Sequence, residues 1–90
     1  MEFEWDRTKA EANILRHGVR FETATEVFDD PDVLFEDDPY SVGEYREIVI
    51  GASQAGLLFV VFTERREQVT RIISARRATA DERRRYRSVH

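Results

Sequence analysis

Val69-Thr70-Arg71-Ile72-Ile73-Ser74-Ala75-Arg76-Arg77-Ala78 reads as the last strand of a sheet running into a basic exit. Val69, Ile72 and Ile73 are β-branched and suit a pleated, half-buried surface. With a two-residue period, Val69, Arg71, Ile73 and Ala75 share one face, and Thr70, Ile72 and Ser74 share the other. Arg71 therefore interrupts an apolar face. An unpaired buried guanidinium is costly, so it must reach water or find an acceptor. Two partners fit: a carboxylate such as Glu64, in a purely structural pair, or a phosphate held against a rigid strand. Upstream, Leu57 to Thr63 is apolar throughout, as a central strand covered on both faces is. Arg46 to Ala52 alternates Ile48 and Ile50 with Val49 and Gly51. The linkers Ser53-Gln54-Ala55-Gly56 and Glu64-Arg65-Arg66-Glu67 have hairpin length, which predicts an antiparallel meander of three strands.

Earlier in the chain, Phe3 and Trp5 alternate with acids, which predicts a short first strand. Asp6 fits the N-cap of a helix from Arg7 to His17, and Gly18 fits its left-handed stop. At about 100° per residue, Ala10 and Ile14 make an apolar stripe, whereas Lys9, Asn13, Arg16 and His17 fall in one polar arc. Phe21, Ala24, Val27 and Phe28 repeat at helical spacing, so a second helix is expected from about Glu22 to Asp29, ended by Pro31. Val33 to Phe35 fits a strand, followed by the acidic loop Glu36-Asp37-Asp38-Pro39 and an irregular stretch over 40–45. Thr79 and Glu82 form a T-x-x-E capping box that opens a final helix to about Ser88. Helices followed by strands indicate an α+β fold: N-terminal helices packed on an antiparallel β-sheet, with a short C-terminal helix. Residues 1–90 are read as one domain.

Composition narrows the chemistry. The net charge of −4 conceals an asymmetry: from residue 64 onward nine arginines face four acids, and residues 1–63 are strongly acidic. Such a chain is a poor candidate for coating nucleic acid indiscriminately, yet its basic third can hold a local anion site. Cysteine is absent, which excludes disulfides and thiolate metal sites and suits a reducing compartment. No apolar run reaches membrane-spanning length and the N-terminus is acidic, so a cytoplasmic protein without membrane association is expected. There is no Gly-rich phosphate loop, no H-E-x-x-H pair and no nucleophile elbow. With only His17 and His90 available, neither a metal nor another cofactor is expected. The acidic residues around 29–38 lack the spacing of a cation-binding loop and read as solvated.

Two polar sets remain. Lys9, Asn13, Arg16 and His17 are either the solvated side of an amphipathic helix or a substrate-facing arc. Arg71, Ser74, Arg76 and Arg77, with the Arg-rich last helix, are either a self-neutralised charged surface or a phosphate site. If both sets faced one cleft, they would supply cations, an imidazole and hydrogen-bond donors, which is the inventory of metal-free RNA cleavage. A base then helps the 2′-hydroxyl attack phosphorus, cations stabilise the phosphorane, and an acid protonates the leaving oxygen. Tyr86 could contribute a phenol or pack the last helix against the sheet, and packing is the commoner use of such an aromatic.

These residues carry a resemblance. Phe3-x-Trp5-Asp6-x-x-Lys9-x-x-x-Asn13-x-x-x-His17-Gly18-Val19-x-Phe21, then Val27-Phe28-Asp29-Asp30-Pro31, Thr63-Glu64-Arg65, and Arg71-Ile72-Ile73-Ser74-Ala75-Arg76-x-Ala78-Thr79-x-x-Glu82-x-x-x-Tyr86 resemble the BrnT toxins of type II toxin–antitoxin pairs, in order along the chain. The resemblance implies a RelE-like fold and a ribonuclease that arrests translation and growth. It also implies a BrnA-like ribbon-helix-helix antitoxin, in a hetero-oligomer that touches operator DNA only through the antitoxin. By position it makes His17, Glu64, Arg71 and Arg76 the expected catalytic residues. Arg71 and Arg76 would hold the scissile phosphate, and His17 or Glu64 would move protons. Lys9, Asn13, Arg16, Ser74, Arg77 and Tyr86 become expected RNA-binding positions. Arg16 stands where the family pattern has Lys before His-Gly, which keeps the charge and removes a lysine-specific proton role. The antitoxin is expected to cover arginines 71, 76 and 77. The competing possibility is a non-catalytic module that docks an acidic partner or helps repress its own operon.

Overall fold

The computed structural model describes residues 1–66 and 68–89; Glu67, in the predicted hairpin turn, and the terminal His90 lie outside the described residues. Local signals place the first elements. Strand β1 (Glu2–Glu4) leads to Asp6, whose carboxylate accepts the Lys9 amide at 3.0 Å and starts helix α1 (Arg7–His17). Gly18 ends α1 at φ 68°, and its amide donates to the Ile14 carbonyl at 2.8 Å. The expected second helix is split into a short α2 (Phe21–Ala24) and a 3₁₀ turn over Thr25–Asp29. Strands β2 (Leu34–Asp37), β3 (Glu47–Ser53), β4 (Gly56–Glu64) and β5 (Val69–Arg77) follow, then α3 (Ala80–Ser88) with both halves of the Thr79–Glu82 capping box formed.

The fold is α+β, with two corrections to the expected architecture. The five-stranded sheet has the order β1-β5-β4-β3-β2 and is mixed, because β1 pairs with β5 in parallel while β2 to β5 pair antiparallel. The helices are not gathered at the N-terminus: a strand comes first, and helices cover both sheet faces. On one face Val19, Phe21, Ala24 and Val27 pack against Val49, Leu58, Val60, Phe62, Ile72 and Ala75. Fully buried side chains of this size each contribute about 1.5–3 kcal/mol, so this layer is the main core. On the other face Tyr86 of α3, and Ala78 just before that helix, pack against Ile48, Ile50, Phe59 and Val61. Gly51 lets β3 pass beneath the 3₁₀ turn, since a Cβ there would lie 3.0 Å from both Val27 Cβ and the Val27 carbonyl oxygen.

The strict alternation expected along β5 also fails. Phe62 pairs with Ile72 but Val61 pairs with Ser74, leaving Ile73 as the extra residue of a β-bulge. Thr70, Ile72 and Ala75 are consequently all buried, and Arg71, Ser74 and Arg76 stand opposite Thr63, Val61 and Phe59. The bulge gathers three polar residues that an unbroken period would have divided between two faces.

Candidate functional site

Strand β1 pairs with β5 only at Val69, Thr70 and Arg71, so the outer edge of β5 has no strand partner from Ile72 onward. Helix α1 fills that gap. The buried Asn13 amide donates to the Ala75 carbonyl at 2.7 Å and to the Val19 carbonyl at 2.9 Å, and accepts the Ala75 amide at 3.1 Å. Its donors and acceptor thus replace one rung of a missing strand and hold α1 against β5. The α1 arc is therefore not wholly solvated, and Asn13 is taken up by backbone groups of the protein itself.

The turn on either side of Asn13 opens onto a groove of about 300 Å³ lined by Lys9, Ala12, Asn13, Arg16 and His17 of α1 and by Ile73 and Ser74 of β5. Among the described residues no carboxylate lines it. Neither Lys9 nor Arg16 forms an ion pair among the described residues, and Lys9 is the chain's single lysine. An ammonium, a guanidinium and an imidazole face a serine there, a combination suited to a phosphate and to proton transfer.

The expected arginines lie outside this groove. Arg71 does not pair with Glu64. Its Nη1 lies 2.9 Å from Glu4 Oε2, brought beside it by the parallel pairing of β1. Glu64 is exposed, accepts the Thr70 hydroxyl at 3.2 Å, and lines a different cavity of about 460 Å³ with Glu44, Tyr45, Thr63, Arg65 and Arg66. Arg76 is locked in the cleft beneath α3: both its terminal nitrogens meet Glu82 at 2.8 Å, and its guanidinium sits 4.0 Å from the Phe59 ring centroid. Arg77 is exposed and has no ion pair among the described residues. Tyr86 packs against the α3 side of the sheet, donates to Asp30 at 2.6 Å and does not line the groove. The Asp30 hydrogen bond, then burial, pushes its phenol up to about 12. Of the expected site residues, Lys9, Asn13, Arg16, His17 and Ser74 come together, whereas Glu64, Arg71, Arg76, Arg77 and Tyr86 do not join them. Sequence reasoning missed the carboxylates Glu4 and Glu82, which occupy two of the arginines. Glu82 had a local signal in its capping box, and Glu4 had none.

The Arg76–Glu82 pair has a consequence for acid stability. Burial alone pushes the Glu82 carboxyl up, but the Arg76 fork and the Thr79 amide outweigh it and leave it below its ordinary value of 4.5. A depressed carboxylate stabilises fully above that ordinary value, and the stabilisation is lost as pH falls through the lowered one. Glu82→Gln is expected to cost about 2 kcal/mol at pH 7, below the range for a fully buried pair because the Arg76 side chain is 34% exposed. That deficit should shrink as the melt is repeated at falling pH; a deficit constant down to pH 3 would remove the ionised pair as its cause.

Comparison with known proteins agrees with this architecture. The family model described as "Ribonuclease toxin, BrnT, of type II toxin-antitoxin system" matches residues 5–82. The 1.1 Å crystal structure of the Brucella abortus ribonuclease toxin, BrnT, is similar at 26% identity and a TM-score of 0.67, over 88% of this chain and 97% of that one. No curated protein matches. Among the described residues no helix is long and apolar enough to cross a membrane. With a family match that takes in α1, strands β2 to β5 and the start of α3, the chain belongs to the BrnT family of ribonuclease toxins of type II toxin–antitoxin systems.

Proposed function

We propose that this chain is a metal-independent endoribonuclease toxin whose scissile phosphate sits in the α1–β5 groove. Lys9 and Arg16 take the phosphate oxygens there, in place of the carboxylate-bound Arg71 and Arg76. His17 removes the proton from the RNA 2′-hydroxyl, whose oxygen attacks phosphorus. The bond from phosphorus to the 5′-oxygen breaks, and the Lys9 ammonium protonates the departing oxygen. The products are a 2′,3′-cyclic phosphate and a 5′-hydroxyl. Ser74 donates a hydrogen bond to the phosphorane as negative charge builds on it.

One observation carries the proposal: three cationic or titratable groups from a little over two turns of α1 open onto Ser74, with no carboxylate among the described residues that line the groove. An anion entering the groove meets no negative charge among the described residues of its walls. A cytoplasmic BrnA-like ribbon-helix-helix antitoxin would neutralise the toxin by covering this groove, and operator DNA would be reached only through that complex. Incubating the purified chain with single-stranded RNA in EDTA tests the chemistry. Fragments ending in 2′,3′-cyclic phosphate are expected. Intact RNA would leave a non-catalytic module, and cleavage that stops in EDTA would make the reaction metal-dependent.

A further inference from the structure

At the opposite end of β5 from Arg76, two guanidiniums converge on one oxygen. Arg71 Nη1 lies 2.9 Å and Arg65 Nε 3.5 Å from the same Glu4 Oε2. The Glu4, Arg71 and Arg65 side chains are 36%, 33% and 47% exposed. Glu4 ends a three-residue edge strand and supplies the only anion oxygen that the described residues place on Arg71. Both arginines are well anchored. Arg71 lies within β5, and Arg65 begins the turn between β4 and β5, with its amide bonded to the Val69 carbonyl at 2.8 Å and its Nη1 3.8 Å from Glu44 Oε2. The contrast with Arg76 is sharp, because there the carboxylate is only 11% exposed, takes both nitrogens and also caps a helix.

We propose that Arg65 and Arg71 form a second phosphate subsite, held in the free protein by the Glu4 carboxylate, and that a non-scissile phosphate of bound RNA displaces Glu4. That the ligand is RNA rests on the function proposed above; the subsite itself rests on the two guanidiniums meeting at one anion oxygen. A phosphodiester and a carboxylate each carry one negative charge and two acceptor oxygens, so the exchange conserves charge at the subsite. The Glu4–Arg71 pair is half-buried and rests on a single close contact, so it is easier to exchange than the doubly bonded Arg76–Glu82 pair. The bulge at Ile73 places Arg71 on the same side of β5 as Ser74, so a strand of RNA leaving the groove and following β5 arrives at Arg71. Glu4 thereby acts as an internal competitor that weakens non-productive binding of short anions.

The test uses a fluorescent single-stranded oligodeoxynucleotide, which lacks the 2′-hydroxyl and cannot be cleaved by it, with anisotropy titrations at several salt concentrations. Glu4→Gln is expected to bind about three- to fivefold tighter at low salt. Its slope of log affinity on log salt should steepen by about 0.7, the amount for one added phosphate contact on a single strand. Asp29→Asn makes the same charge change at an exposed carboxylate with no ion pair among the described residues, and measures the generic gain. Adding Arg71→Gln to Glu4→Gln should cancel the difference between the two. Binding by Glu4→Gln no tighter than by Asp29→Asn, or a gain that survives loss of Arg71, overturns the subsite. Should Glu4→Gln not fold, Arg71→Gln alone should weaken binding of the oligodeoxynucleotide about three- to fivefold at low salt, and an unchanged affinity is the overturning result. Cleavage of RNA in EDTA is read separately. Tighter binding without cleavage would keep the subsite and reject the nuclease, and the reverse would do the opposite.

Discussion

His17→Gln is expected to lower the single-turnover rate of RNA cleavage by about 10²–10⁴-fold, the usual contribution of a positioned general base. The melting temperature should barely move, because no hydrogen bond or ion pair of the described structure depends on the imidazole. Measuring at saturating RNA separates chemistry from binding: loss of a proton acceptor lowers the rate constant and leaves the half-saturating concentration near its original value. Arg16→Gln should behave differently, raising the half-saturating concentration through the lost phosphate contact, and Arg16→Lys should restore much of the binding because the charge is retained. Cleavage by His17→Gln at the parent rate would take the general-base role away from His17. Glu64 would not inherit it, since it lines another cavity with Arg65 and Arg66. The groove would then be an anion-binding surface whose chemistry happens elsewhere.

Why the groove, and not the arginines, emerged as the centre is a matter of which interactions are local. Asp6, Gly18 and the Thr79–Glu82 box act within four residues of themselves, and each forms as the sequence predicts. The hairpin-length linkers and the apolar run of β4 likewise fix the antiparallel meander. The parallel pairing of Glu4 with Arg71 spans 67 residues and is written in no local pattern. It is nonetheless what makes the sheet mixed and what gives Arg71 a partner other than Glu64. The bulge at Ile73 is equally silent, because Ile72 and Ile73 are interchangeable to any rule based on residue type. A single extra residue there reverses which side chains share a face with Arg71. The α1 arc was legible by periodicity alone, but periodicity could not tell that its central member, Asn13, faces inward. That depends on the edge of β5 being left open by a first strand of three residues.

Asn13 therefore carries the largest stability effect expected of any single polar side chain here. Asn13→Ala leaves the Ala75 amide and carbonyl and the Val19 carbonyl without their partner, in a place from which water is largely excluded. At about 1 kcal/mol for each lost bond, with more for each group left unsatisfied, a loss of about 3–4 kcal/mol follows. For a domain of this size that lowers the melting temperature by about 12 °C or more. Asn13→Asp sharpens the interpretation, because shape is kept and only the donors are lost. One carboxylate oxygen can still accept the Ala75 amide, but the other faces the Val19 and Ala75 carbonyls, which offer no proton. The introduced carboxyl is driven toward its neutral form, so its folded-state value rises above the unfolded one. Its penalty is then smallest in acid and grows as pH rises past the unfolded value of about 3.9. Melts at pH 5 and pH 7 should show Asn13→Asp losing further stability at the higher pH, while Asn13→Ala keeps a constant deficit relative to the parent chain. Equal deficits for both variants at both pH values would mean that the amide donors are not what seats α1. The seat would then belong to Val19 and Phe21, and the spacing of Lys9, Arg16 and His17 over Ser74 would depend on packing instead of on a polar clasp.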